Sequence, residues 1–136
     1  MIVGGTLAGN ALSLAAVRAT LGEVLTDEAF ARMTALGERL AAGTAAAIED
    51  ARLPWHVTGL GVRSEYRFRP DPPRNGGEAG AAGDPELERF LHLHALNRGV
   101  LITPFHNMAL ACPATTEADA DRYAEVFREA LGDLAA

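Results

Sequence analysis

The stretch Gly4-Gly5-Thr6-Leu7-Ala8-Gly9-Asn10 runs directly into Ala11-Leu12-Ser13-Leu14-Ala15-Ala16-Val17. Asn10 is a good helix N-cap, and the alanines and leucines behind it favour helix. Glycines let a backbone approach a ligand closely, and the helix start presents unpaired N–H groups. Gly5, with the hydroxyl of Thr6, therefore reads as a candidate anion site. The same pattern is also an ordinary way to begin a helix, so the local residues leave both readings open.

Working outward, Asn10 to about Leu25 reads as a first helix, with Leu14, Val17, Leu21 and Val24 or Leu25 at helical spacing. Thr26 caps a second, from Asp27 to about Ala51. It carries Phe30, Met33, Leu36 or Gly37, Leu40, Ala47 and Ile48 on one face. Asp27 and Glu28 suit the positive end of its dipole. Gly37 and Gly43 within it are read as sites of close packing. After Pro54 the residues turn β-like, in Trp55–Thr58 and Val62–Phe68. A period of two puts Val62, Ser64, Tyr66 and Phe68 on one side and Arg63, Glu65 and Arg67 on the other, and one face should be wet.

Residues 70–84, rich in proline, glycine and alanine, read as a mobile loop inside one domain spanning 1–136. Asp84-Pro85-Glu86 starts another helix and Gly99 stops it. Val100–Thr103 is expected as a short buried strand and Met108–Cys112 as another, each closed by a proline. Thr115 or Thr116 caps a last helix, Glu117 to about Leu131, with Ala120, Tyr123, Val126 or Phe127, and Leu131 inward. This order predicts an α+β fold: a two-layer sandwich with three to four strands in a mainly antiparallel sheet and helices on one face.

The opening motif, Gly-Thr-x-x-Gly-Asn at residues 5–10 with its following helix, resembles that of class III aminotransferases, the pyridoxal-phosphate enzymes that include glutamate-1-semialdehyde aminomutase. The resemblance continues to the end of the chain. It implies the small C-terminal domain of fold-type I pyridoxal-phosphate enzymes, preceded by a long linking helix. Residues 1–25 would be the cofactor-phosphate turn and that helix, and 26–136 the small domain. It further implies that Gly5 and Thr6 contact the phosphate of pyridoxal 5'-phosphate, Thr6 across a homodimer interface. The turn at Phe105, His106 and Asn107 would line the pocket for a small amine or amino acid. Many relatives place an arginine or glutamate at that turn, and this chain has neither there.

The catalytic lysine of that family, which binds the cofactor covalently, belongs to a large domain that precedes the motif. Here all 12 Lys-plus-Arg positions are arginine. A guanidinium cannot replace an amine in imine chemistry. No catalytic residue is therefore assigned to this chain. The resemblance implies either a piece of such an enzyme, with the large domain as its partner, or a separate non-catalytic interaction or dimerisation domain derived from one.

A formal net charge of −6 and scattered arginines argue against a nucleic-acid partner. The one basic cluster, Arg63, Arg67, Arg69 and Arg74, is interleaved with acidic residues and reads as a solvated strand and loop. No apolar run approaches the ~20 residues that cross a bilayer. The start lacks the basic flank of a secretion signal, and the one cysteine precludes an internal disulfide, so a cytoplasmic location is expected. No metal is expected: His92 and His94, two apart on a helix, point about 200° from each other. One should be inward and one exposed. Cys112 is expected to be a buried packing residue in its strand, and Trp55 to anchor helix against sheet.

Overall fold

The structure, a computed structural model, describes residues 9–103 and 107–134. Helix α1 (Ala11–Ala19) starts at Asn10, whose side chain accepts from the Ser13 N–H at 2.9 Å, and continues through a π-helical turn, Thr20–Val24. Helix α2 (Asp27–Asp50) is capped by Thr26, which accepts from the Ala29 N–H. Strands β1 (His56–Leu60) and β2 (Arg63–Arg67) form a hairpin, and β3 (Met108–Leu110) pairs with the other edge of β2. Both pairings are antiparallel. Helices α3 (Gly76–Ala81), α4 (Pro85–Leu96) and α5 (Glu117–Leu134) complete the order.

The caps explain these boundaries. Asp84 accepts from the N–H groups of Glu86 and Leu87, with Pro85 at the first helical position. Thr116 and Asp119 satisfy each other's backbone N–H groups reciprocally, the capping-box arrangement that starts α5. Helix α3 lies within the stretch read as a loop. Asn75 accepts from the Glu78 N–H, and Glu78 in turn binds Arg74, a local network that composition alone conceals.

Register sorts the sheet into two faces. Val57, Tyr66 and Asn107 lie in one row, and Gly59, Ser64 and Ala109 in the next, on the side that the helices cover. Tyr66 is 2% exposed and meets Phe127 of α5 at 4.9 Å between ring centroids. One core cluster gathers Ala47, Ile48, Tyr66, Leu91, Phe127, Ala130 and Leu131. A second holds Met33, Leu36, Leu40, Ala111, Ala120 and Tyr123. The inward face expected for α5 is the observed one. Trp55 packs on the first cluster, tilted on Phe68 at 4.7 Å and stacked on Tyr66 at 6.2 Å.

Two glycines of α2 mark close approaches. A Cβ on Gly37 would lie 2.6 Å from the Gly61 carbonyl oxygen in the β1–β2 turn, and one on Gly43 would lie 2.7 Å from the Ala124 Cβ of α5. Gly61 itself has φ +56°, which suits the tight turn.

Four expectations are corrected. Val100–Thr103 forms no strand: the Val100 N–H returns to the Ala95 carbonyl behind Gly99, and Leu101 is 78% exposed. Among the described residues the sheet therefore has three strands. Phe30 is 48% exposed, because the core begins one turn later at Met33. Glu65 is buried although it faces away from the helices, because Arg63 and Arg67 clasp it at 2.7 and 2.6 Å and shield it. Cys112 is exposed: β3 ends at Leu110, and Ala111 takes the buried place.

The two tyrosines give the core an alkaline limit. Burial holds Tyr66 well above the ordinary phenol value and pushes Tyr123 up to about 12. Each is raised above its unfolded value of about 10, so the stability it contributes is full below that pH and lost as pH rises through the folded value. Alkaline titration is expected to show no phenolate absorbance near pH 10. It should then appear together with loss of the helical circular dichroism as pH approaches 12. Phenolate forming near pH 10 with the helices intact would refute this.

Candidate functional site

The candidate site has two halves. Gly5 and Thr6 lie outside the described residues, as do Phe105 and His106. Thr103 and Asn107, which bracket the second half, are described. The Asn107 carbonyl accepts from the Tyr66 N–H at 3.0 Å and extends the β2–β3 ladder by one residue. Asn107 is 6% exposed. Asn107 is thus pinned to the central strand at Tyr66, whose side chain sits in the core. A rigid sheet can aim polar groups from an adjoining turn into a cleft.

Beside this turn runs a groove of about 220 Å3, lined by Val100, Ile102, Thr103, Met108 and Leu110 and floored by Tyr123. A larger cleft, about 380 Å3, opens elsewhere between α2 and the start of α5. Its guanidiniums are already engaged. Arg39 grips Asp121 through two bonds of 2.7 and 2.8 Å, which holds that carboxyl below its ordinary range, and Arg32 donates to the Pro113 carbonyl. Arg39 is compensated there, while Arg32 keeps its charge on a neutral carbonyl; the groove beside Asn107 is the candidate because it adjoins the residues that the resemblance singles out.

The basic cluster is partly compensated in place, Arg63 and Arg67 sharing Glu65, and Arg69 and Arg74 sharing Glu78. His94 is buried and His92 only partly so, and no group of metal-binding side chains forms among the described residues. The exposed Cys112 thiol accepts from the Thr115 hydroxyl at 3.4 Å, and this bond foremost lowers its pKa. No helix among the described residues is long and apolar enough to cross a membrane.

Helix α1 buries none of its residues. Leu12, Leu14, Val17, Leu21 and Val24 are 47–81% exposed. Leu25, next to α2, is the first apolar side chain to join the core. Sequence reasoning missed the clasped Glu65, for which the only sign was an arginine two residues away on either side.

No protein-family profile matches the chain. A solved glutamate-1-semialdehyde aminomutase from Pseudomonas aeruginosa superposes with a TM-score of 0.92 at 56% identity, over 96% of this chain and 29% of that one. By sequence and fold the chain matches the C-terminal part of a class III, pyridoxal-phosphate-dependent aminotransferase of the glutamate-1-semialdehyde-aminomutase type. The aminomutase of Opitutus terrae is 35% identical over 96% of the chain. The beta-phenylalanine aminotransferase of Variovorax paradoxus superposes with a TM-score of 0.83 at 28% identity, over 99% of the chain and 31% of its own. The chain spans about 31% of the length of the Opitutus aminomutase. Its α+β fold is that of the small domain of fold-type I pyridoxal-phosphate enzymes. A crystal structure of the Pseudomonas aminomutase was solved in complex with PMP.

Proposed function

We propose that the chain works as the small-domain part of a class III aminotransferase or aminomutase that moves an amino group between an amine or amino acid and a carbonyl compound. The likeness to the Pseudomonas aminomutase, at 56% identity over 96% of the chain, carries this reading. In the whole enzyme pyridoxal phosphate supplies the electron sink for the chemistry at the substrate's carbon. This chain cannot hold that cofactor covalently, since its sequence contains no lysine. Its own tasks are two. Gly5 and Thr6 contact the cofactor phosphate from a homodimer partner, and Phe105, His106 and Asn107 shape the substrate pocket beside the groove at Thr103 and Met108. The backbone bond from Tyr66 to Asn107 supports the second role for Asn107, because it ties that residue to the central strand.

Residues 1–25 act as the phosphate turn and linking helix, and 26–136 as the small domain with its loop at 70–84. The large domain is the partner that covers α1, and the setting is the cytoplasm. The exposed apolar side chains of α1 also suit the second reading, a stand-alone dimerisation domain without catalysis.

The purified chain with added pyridoxal phosphate, amino donor and keto acceptor is expected to show no turnover. A chimera in which this chain replaces the matching part of the Pseudomonas aminomutase is expected to turn over. Turnover by the chain alone overturns the division of labour. A folded, cofactor-loaded chimera without activity overturns the aminotransferase reading in favour of the interaction domain.

A further inference from the structure

A small internal cavity lies between α4, α5 and the helix-covered face of the sheet, with Tyr66, Leu91, His94, Tyr123, Phe127 and Ala130 among its walls. It offers about 10 Å3 to the centre of a water-sized sphere, which is room for one water molecule. Two of its wall residues carry buried polar atoms without a partner among the described residues: Tyr66 Oη and His94 Nε2. The two residues are 2% and 6% exposed.

Both residues line this space, and both atoms are buried. His94 Nδ1 faces Asp133 Oδ2 at 3.5 Å, so Nε2, across the ring, turns inward. The Tyr66 ring meets Phe127 of α5 at 4.9 Å between centroids, and its hydroxyl is buried on that helix-covered side of the sheet. An apolar cavity stays dry, whereas one flanked by unsatisfied polar groups gains by taking up water, because a buried donor or acceptor left unpaired is costly. The hydrogen-bond polarity also closes. A neutral imidazole with its N–H at Nδ1, the nitrogen that faces Asp133, presents Nε2 as an acceptor, and the phenol is free to donate.

We propose that this cavity binds one structural water molecule, which accepts a hydrogen bond from the Tyr66 hydroxyl and donates one to His94 Nε2. The water fastens β2 to α4 where the two share no direct hydrogen bond. Walls of leucine, alanine and phenylalanine offer no anionic oxygen, which selects a neutral occupant of this size over a cation.

The test pairs a crystal structure of the protein, at a resolution that shows ordered water, with oxygen-17 relaxation dispersion in solution. The expected result is one density peak within hydrogen-bonding distance of both atoms. Solution dispersion should carry a long-lived water contribution that falls by one molecule in Tyr66→Phe. A direct bond between Tyr66 Oη and His94 Nε2, a dry cavity, or a dispersion amplitude unchanged by Tyr66→Phe would overturn the proposal. Should Tyr66→Phe fail to fold, the wild-type crystal structure alone decides.

Discussion

Tyr66→Ala is expected to cost the fold about 3–5 kcal/mol, the range for removing a large buried aromatic side chain. The magnitude follows from its position. Tyr66 sits on the central strand of three, 2% exposed, with rings of Trp55, Phe68 and Phe127 against it at 6.2, 5.9 and 4.9 Å. Truncation removes the element that both the sheet and α5 pack upon, and the surrounding rings come from different segments that cannot collapse together without moving the backbone. Domains have total stabilities of about 5–15 kcal/mol, so the loss takes a large fraction. Urea unfolding of the two proteins checks this through the midpoint at constant slope. A midpoint within error of wild type would mean that Tyr66 is not the keystone that its burial implies.

Gly37→Val is expected to be the next most damaging change, at about 3 kcal/mol, with Gly37→Ala near 1–2 kcal/mol. Alanine in a helix interior is intrinsically better than glycine by about 1 kcal/mol, so only a clash can reverse the sign. That clash is with backbone: the new Cβ would meet the Gly61 oxygen at 2.6 Å and the Val62 Cα at 2.9 Å. Neither atom can rotate aside, and the hairpin turn would have to lift from α2. Gly22→Ala is the control, since nothing lies within 4 Å of a Cβ built there. Thermal melts of the three variants against wild type should show Gly22→Ala unharmed and both Gly37 variants lowered. If Gly37→Ala melts at or above wild type, α2 and the hairpin do not pack as closely as described.

Where the sequence was legible, the deciding physics was local. The inward row of α5, Ala120, Tyr123, Phe127 and Leu131, follows from the 3.6-residue period, and the caps Thr26 and Asp84 from side-chain chemistry within three residues. The Gly37 and Gly43 contacts were readable as close packing because small residues in a helix face cost stability unless something needs the space. The failures were tertiary. Val100–Thr103 has the composition of a strand, but a strand requires a neighbour with free backbone groups. Glu65 looked solvated because alternation records the face and not the arginines that fold over it. Cys112 was misread because one residue of strand length decides which side of the ladder's end is buried. In the candidate site, the family resemblance implies Gly5, Thr6, Phe105, His106 and Asn107. Of these Asn107 alone lies among the described residues, and its anchoring through Tyr66 is a long-range pairing that no local pattern announces.

The junction at Leu25 and Thr26 carries a geometric consequence for cofactor placement. Helix α1 and its π-helical turn run from Ala11 to Val24, about 20 Å of rod at about 1.5 Å per residue. Among the described residues only the junction end of that rod is packed, which makes it a lever arm: a tilt of ten degrees at the junction swings its far end by about 3–4 Å, more than a hydrogen bond spans. In the proposed enzyme, the aim of Thr6 at a phosphate is therefore calibrated by the surface against which α1 leans. The same small domain could serve binding sites of different reach through a change in that seat alone.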